Sequence, residues 1–344
     1  MRFPSSLSIS ATLAVSLYNA LAAADIYNGG CTGDNPVKLR IGNGGAGQSG
    51  LVKELATHFI QNQTNSCQDT SKVFSIEWVT GDTTETINNL KTKKVDVGIT
   101  YHKTAEQIAI NAGFASGCLY KDDNSTTPCF GGAENCQGYE MERPCYSFRD
   151  HFYLAGPKNN TAGIRDEDDI TEAFSKLYSA AQNGTARFLS RFDKSATNIK
   201  DSELWIAIGQ VPWAIAYSKW YHQYIDYPIE ALTTAIKLSE YTITDRGTYL
   251  TLRNRDHDLA SELEIYKRGD EYEELLNPAD MITATDSENR ELAREFVKWV
   301  LSNEGQDIIA NFHKQDGYCL YRGFPTQDGE GEEIEASDCK WEIN

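Results

Sequence analysis

The chain of 344 residues has no long apolar run after its first two dozen residues, so its body contains nothing suited to span a bilayer as a helix. It also lacks an apolar C-terminal tail of the lipid-anchor kind. No Cys-x-x-Cys pair occurs, which argues against zinc ribbons and thioredoxin-like redox motifs. No His-Glu-x-x-His occurs, and the six histidines (His58, His102, His151, His222, His257 and His313) include no pair at clear metal-ligand spacing, so no metal is expected. Positive charge is scarce, with 32 Lys and Arg against 50 Asp and Glu, a net charge of −18. That balance argues against nucleic acid and against anionic membrane surfaces as partners. Any bound anion must be held by local donors against an unfavourable overall field. No internal repeat is visible.

What is present suits a folded, secreted protein. Hydrophobic residues at 40% and aromatics at 11% can build real cores, in one large or two medium domains. Residues 1–24 read as a secretion signal: Arg2 supplies the positive start, Leu7 to Leu21 is mostly apolar, and Ala20-Leu21-Ala22 or Ala22-Ala23-Ala24 offers small-residue cleavage. Eight cysteines follow: Cys31, Cys67, Cys118, Cys129, Cys136, Cys145, Cys319 and Cys339. An even number behind a signal points to four disulfides, with the pairing unreadable at this level. Asn62, Asn124, Asn159 and Asn183 head glycosylation sequons and permit a secretory route.

Strands and loops recur along the chain. Val37 to Ile41 is β-prone, Gly42 to Gly50 is a glycine-rich turn, and Leu51 to Gln61 has one apolar side, as a helix would. Phe74 to Val79 alternates as a strand, Thr80 to Glu85 is a hydroxyl-rich loop, and Thr86 to Lys93 should be helical, capped by Asp82 or Thr83. Val95 to Thr100 is a third strand, followed by Tyr101 and His102; His102 could face a cleft, but a surface or merely polar role fits it better. Strand, loop and helix in succession mark an α/β fold, whose ligands sit at the carboxyl ends of strands. Gly113 to Ser147 breaks this rhythm and reads as a Cys-rich insert, and His151 to Pro157 resumes as a strand. The aromatic crowd from Trp205 to Tyr227 is expected mostly to pack a second core.

The chain is organised around Phe188-Leu189-Ser190-Arg191-Phe192-Asp193-Lys194-Ser195-Ala196-Thr197, a short apolar run, a hydroxyl-rich loop and the start of a helix running to Ile208. Free amides of a helix's first turn and the peptide dipoles favour negative charge there. Ser190, Ser195 and Thr197 can add hydrogen bonds, and Arg191 a charged fork. Read plainly, the same residues make a capped helix beside a surface arginine. Two enzyme readings are weaker. Gly42, Gly44 and Gly47 match the dinucleotide fingerprint, but no acidic residue ends the second strand, since Glu77 sits mid-strand. Ser49 misses Gly-x-Ser-x-Gly because residue 51 is Leu. No cofactor is expected.

These stretches resemble type II periplasmic substrate-binding proteins, and within them the tungstate-binding family of ABC importers. Phe188 to Thr197 is similar to that family's Phe-Val-Ser-Arg-Gly-Asp-x-Ser-Gly-Thr loop, and Leu204-Trp205 matches the helix that follows. Tyr241 to Tyr249 resembles Tyr-Thr-Leu-Thr-Asp-Arg-Gly-Thr-Tyr, Phe152 to Pro157 resembles Phe-Val-Ile-Val-Gly-Pro, and Phe296 to Phe312 resembles the closing helix. The resemblance implies a two-lobed α/β fold, each lobe a mixed β-sheet flanked by helices, with a ligand cleft between the lobes. It divides the chain into lobe 1 (residues 25–150 plus 246–325, with the insert at 113–147), lobe 2 (151–245) and an acidic tail (326–344) in which Cys339 could be tied back to Cys319. It implies a non-catalytic binder of a small oxyanion such as tungstate, molybdate, phosphate or sulfate. By the same resemblance Ser190, Arg191, Ser195 and Thr197 occupy one binding loop, Gly47 and Ser49 a second, and Thr83 and Thr84 a third. Asp245 and Arg246 fit a hinge or structural pair better than ligand contacts. Bacterial members hand ligand to an importer, a partner that a glycosylated secretory protein need not have. The departures from the family are the loss of the threonine run before Ser49, the acids Asp82 and Glu85 in the loop of Thr83 and Thr84, and Phe192 and Ala196 in place of glycines. They leave a competing expectation, an extracellular interaction protein that keeps the fold without binding an anion.

Overall fold

The computed structural model describes residues 25–343 apart from 34, 70, 123–124, 126–127, 130–135, 270–272 and 324–335. The signal reading, the sequon at Asn124 and most of the acidic tail lie outside the described residues.

Strand β1 (Asp25–Tyr27) pairs antiparallel with β3 (Ser75–Thr80), and β2 (Val37–Asn43) pairs parallel with both β3 and β4 (Val97–Thr100). Between these strands run helices α1 (Gly45–Ser49), α2 (Leu51–Gln63) and α3 (Thr83–Lys91), with α4 (Lys103–Asn111) after β4. The insert holds β5 (Ala115–Ser116) and a two-stranded ribbon of β6 (Cys118–Tyr120) and β7 (Met141–Arg143). Disulfides Cys118–Cys145 and Cys129–Cys136 staple it.

The long strand β8 (Cys145–Pro157) then connects two halves of one curled sheet. Its residues up to His151 pair with β13 (Leu276–Ala284), which in turn pairs with β4. From Phe152 onward it pairs with β11 (Tyr241–Asp245) and β12 (Leu263–Arg268). The second half is completed by α5 (Ile170–Gln182), β9 (Phe188–Ser190), α6 (Ala196–Ala207), β10 (Tyr221–Gln223) and α7 (Pro228–Leu238). Helices α8 (Arg246–Arg255) and α9 (His257–Ala260) follow β11. The chain returns through β13 to α10 (Arg290–Val300), α11 (Asn303–Ala310) and β14 (Arg322–Gly323). β12 lies along the outer part of β8, so by strand pairing alone the second half takes in residues 152–268, while Leu250 of α8 is buried in the first core. Helix α8 packs on both α1 and α7, at the junction of the halves.

Each half has its own core. In the first, α10 turns Ala293, Phe296, Val297 and Val300 inward, and Phe296 meets Phe59 of α2 edge-to-face at 5.1 Å. Full burial of each such large side chain stabilises by about 1.5–3 kcal/mol. In the second, Trp205 is fully buried among Phe174, Phe188 and Trp220, so much of the aromatic crowd is indeed core, while Tyr217 is wholly exposed. The remaining disulfides, Cys31–Cys67 and Cys319–Cys339, tie the N-terminal lead-in and the C-terminal segment. Among the described residues no helix is long and apolar enough to cross a membrane.

Candidate functional site

A cavity of about 340 Å³ lies where the two halves of the sheet meet. The first half contributes Gly44, Gly45, Asp82, Thr83 and Glu85, with Ile99 and Tyr101 at the end of β4. The crossing strands contribute Asp150, Asp245 and Asn277. The second half contributes Arg191, Asp193, Ser195, Ala196 and Thr197, closed by Ile225 to Pro228. This position, beyond the carboxyl ends of β2, β4 and β9, is where open α/β sheets place ligands.

The loop from Arg191 to Ser195 is folded around Asp193. That carboxylate accepts a hydrogen bond from Arg191 Nη2 at 2.5 Å and one from the Ser195 amide at 3.0 Å. Arg191 Nε donates to the Asp226 carbonyl, and Nη1 lies 3.4 Å from Thr197 Oγ1. The guanidinium is thus buried and aimed along the cavity wall, already paired with one carboxylate. Phe192 and Lys194 hold φ of +45° and +65°, left-handed values that strain L side chains. Ser195 caps α6 by accepting from the Asn198 amide, so the positive end of that helix opens on the cavity.

The opposite wall is acidic. Asp82 caps α3 through the Glu85 amide, so that helix end already faces a carboxylate. Burial raises the Asp82 pKa above the ordinary carboxylate value; Glu85 and, from across the cavity, Asp193 add to this. At the floor, burial and then the neighbouring Asp245 push the Asp150 pKa well above the ordinary carboxylate value. Tyr227 is raised by burial first, then by Glu85 and Asp82. Arg191 is the sole cationic residue lining the cavity among the described residues, against six carboxyl groups.

Of the residues singled out from the sequence, Thr83, Arg191, Ser195 and Thr197 come together here. Four others lie off the cavity lining. Ser49 Oγ donates to the Ala46 carbonyl and accepts from Tyr321 Oη at 2.7 Å, buried behind the first wall. Gly47 packs so tightly on Trp78 that a Cβ would lie 2.1 Å from the indole. The glycine stretch forms a short helix there rather than an open loop, and the cavity takes Gly44 and Gly45 from it. Ser190 Oγ donates to Asp201 at 2.7 Å, and Thr84 Oγ1 crosses the cleft to the Lys194 carbonyl at 3.0 Å. His102 does not line the cavity: its Nδ1 caps α4 by accepting from the Ala105 amide. Asp245, expected as structural, caps α8 and also lines the floor. Tyr101, Asp150, Asn277 and Tyr227 were not anticipated. For Tyr101, its place at the end of a strand was the available signal.

A family model described as a PBP superfamily domain matches residues 142–304. A solved periplasmic protein described as a candidate metal binder is 47% identical, covering 88% of this chain and 100% of that one, with a TM-score of 0.71. A candidate ABC transporter anion-binding protein of Haloferax volcanii is 31% identical over 179 residues, 51% of this chain and 49% of its own length. The tungstate-binding protein TupA of Peptoclostridium acidaminophilum is 29% identical over 191 residues, 52% of this chain and 59% of its own length. The chain thus spans about half the length of the curated relatives it matches. A solved tungstate-binding protein of Desulfovibrio alaskensis, 22% identical and covering 83% of this chain and 98% of that one at a TM-score of 0.60, shares the fold. The chain belongs to the periplasmic binding protein superfamily, and over about half its length it is similar to tungstate-binding proteins.

Proposed function

We propose that this is a secreted, non-catalytic solute-binding protein that holds a small oxyanion in the cleft between its halves. The observation that carries this reading is the convergence of Arg191, Ser195 and Thr197 from one half with Thr83 from the other on one cavity. The helix start beside Ser195 adds amide donors and a favourable dipole. The ligands of the anion-binding relatives point the same way. Secretion accords with four disulfides, which persist in oxidising compartments. Binding favours the arrangement in which both walls touch the ligand, since a ligand shifts such a balance only through contacts it makes in one state.

The carboxylates of both walls support a second reading, a fold that no longer takes an anion: Asp82 and Glu85 on one side and Asp193 and Asp226 on the other would oppose a dianion, and Arg191 is already engaged. The 47%-identical periplasmic protein is described as a candidate metal binder, but among the described residues no three carboxylate, cysteine or histidine side chains are grouped to hold a metal ion. Calorimetric titration separates the two. Heat with tungstate, molybdate, phosphate or sulfate, lost in Arg191→Ala, supports the oxyanion reading. Silence with all four rejects it, and heat only with a divalent cation replaces it. Titration with NAD checks the remaining enzyme reading.

A further inference from the structure

Two passages of the chain between the sheet halves lie side by side. β8 changes partners between His151 and Phe152, and the return comes after Arg268, where the Gly269 amide donates to the Phe152 carbonyl at 2.8 Å. Any motion of one half against the other must bend these adjacent segments.

A C-terminal strap lies across this crossing. The Cys319–Cys339 disulfide closes its base, where Cys319 N donates to Lys340 O and Lys340 N to Gly317 O, each at 2.7 Å. Beyond it, the Trp341 ring lies between two guanidinium groups, with Arg246 at 4.0 Å and Arg322 at 4.1 Å from the ring centre. His151 meets the same ring edge-on at 5.2 Å. These neighbours belong to different parts. Arg322 is on β14, which pairs with the first part of β8, whereas Arg246 follows β11 and donates to the Cys319 carbonyl at 2.9 Å and to Tyr153 Oη, on the part of β8 that pairs with β11. Arg246 also donates to the Trp341 carbonyl, and Arg268, the last residue of β12, to the Ile343 carbonyl at 3.1 Å. Ile343 itself is buried in the first core.

We propose that this strap is a built-in clamp on the crossing, with Trp341 as a positioning residue that fixes how far the two cleft walls stand apart. Asp150 and Asp245 on the cleft floor are the chain neighbours of His151 and Arg246, so the strap acts on the cavity through two of the three residues that meet the Trp341 ring. Trp341 and Arg322 are half-buried and Arg246 is buried, so both cation–π contacts are partly shielded from water, and sliding one half against the other would break one of the pair.

The test uses the full chain without any ligand, so its outcome is independent of what the cleft binds. In Trp341→Ala, hydrogen exchange at the Gly269 amide should speed up by about tenfold or more, a size typical of couplings between parts of a protein. The small-angle scattering radius should rise, and amides of the β2–β3 pairing should exchange as in the wild type. Trp341→Phe should restore most of the protection. If Trp341→Ala does not fold, Cys319→Ser with Cys339→Ser opens the base of the strap and should give the same local pattern. Unchanged exchange at Gly269, or acceleration equal at Gly269 and in β2–β3, overturns the proposal.

Discussion

Asp201→Asn should make the protein more stable near neutral pH, and the gain should shrink on acidification. Asp201 sits on α6, 1% exposed, with Oδ2 accepting from Ser190 Oγ at 2.7 Å and no cation paired to it. Burial pushes its pKa from 3.8 up to about 8. The folded form therefore keeps a proton that the unfolded chain releases above about pH 4. Because the folded-state pKa is raised, the group's contribution is fully present below the unfolded pKa and is lost as pH rises through about 8. At about 1.4 kcal/mol per pH unit, moving from about pH 5 to about pH 7.5 costs the wild type on the order of 3 kcal/mol through this residue. Asparagine keeps the shape and an acceptor for Ser190 but has no proton to lose. Urea unfolding of both proteins at the two pH values reads the difference. Asp150, Glu106 and Asp280 are also raised by burial, but they are common to both proteins and drop out of it. The stability gap between variant and wild type should widen by about 3 kcal/mol over that range. A gap of the same size at both values refutes the claim that Asp201 is held neutral.

Gly47→Ala should lower the melting temperature, because its Cβ would meet Trp78 at 2.1 Å and overpacking of this kind costs roughly 1–3 kcal/mol or more. An unchanged melt would mean that α1 has slack that the packing does not show. Replacing Cys31 and Cys67 by Ser frees a loop of 36 residues and should cost about 4 kcal/mol in urea unfolding. Thr84→Val removes the hydroxyl that bridges the cleft to Lys194. It should change the fold's stability by less than about 0.5 kcal/mol, while raising hydrogen exchange in the Arg191 to Ser195 loop.

Much of the architecture could be read from the residues. The alternation in Ser75–Thr80, the apolar face of Leu51–Gln63 and the capped start of α6 all follow local rules, and the structure has each of them within a few residues. Helix α8 was not legible: its buried side includes Arg246, Thr248 and Thr251, so no apolar stripe marks it. The ribbon β6–β7 was hidden for a related reason, being held by a disulfide and by its partner strand rather than by a hydrophobic face. At the site, Arg191, Ser195 and Thr197 were visible because they are close in sequence. Asp150, Tyr101 and Asn277 come from separate strands and meet only when the sheet curls, which no local pattern records. Ser49 shows the converse: its loop looked open, but Tyr321, distant in sequence, claims its hydroxyl.

The hydrogen bond between Gly269 and Phe152 joins the two ends of the second half side by side. That half is one uninterrupted stretch of chain, spliced into the first like a cassette with its entry and exit at a single seam. Two cuts at that seam would free its strands but not α8, whose Leu250 stays buried in the first core, so this helix is what an exchange of the cleft wall would have to carry across. The first half has no such freedom, since its β13 follows only after the detour is complete.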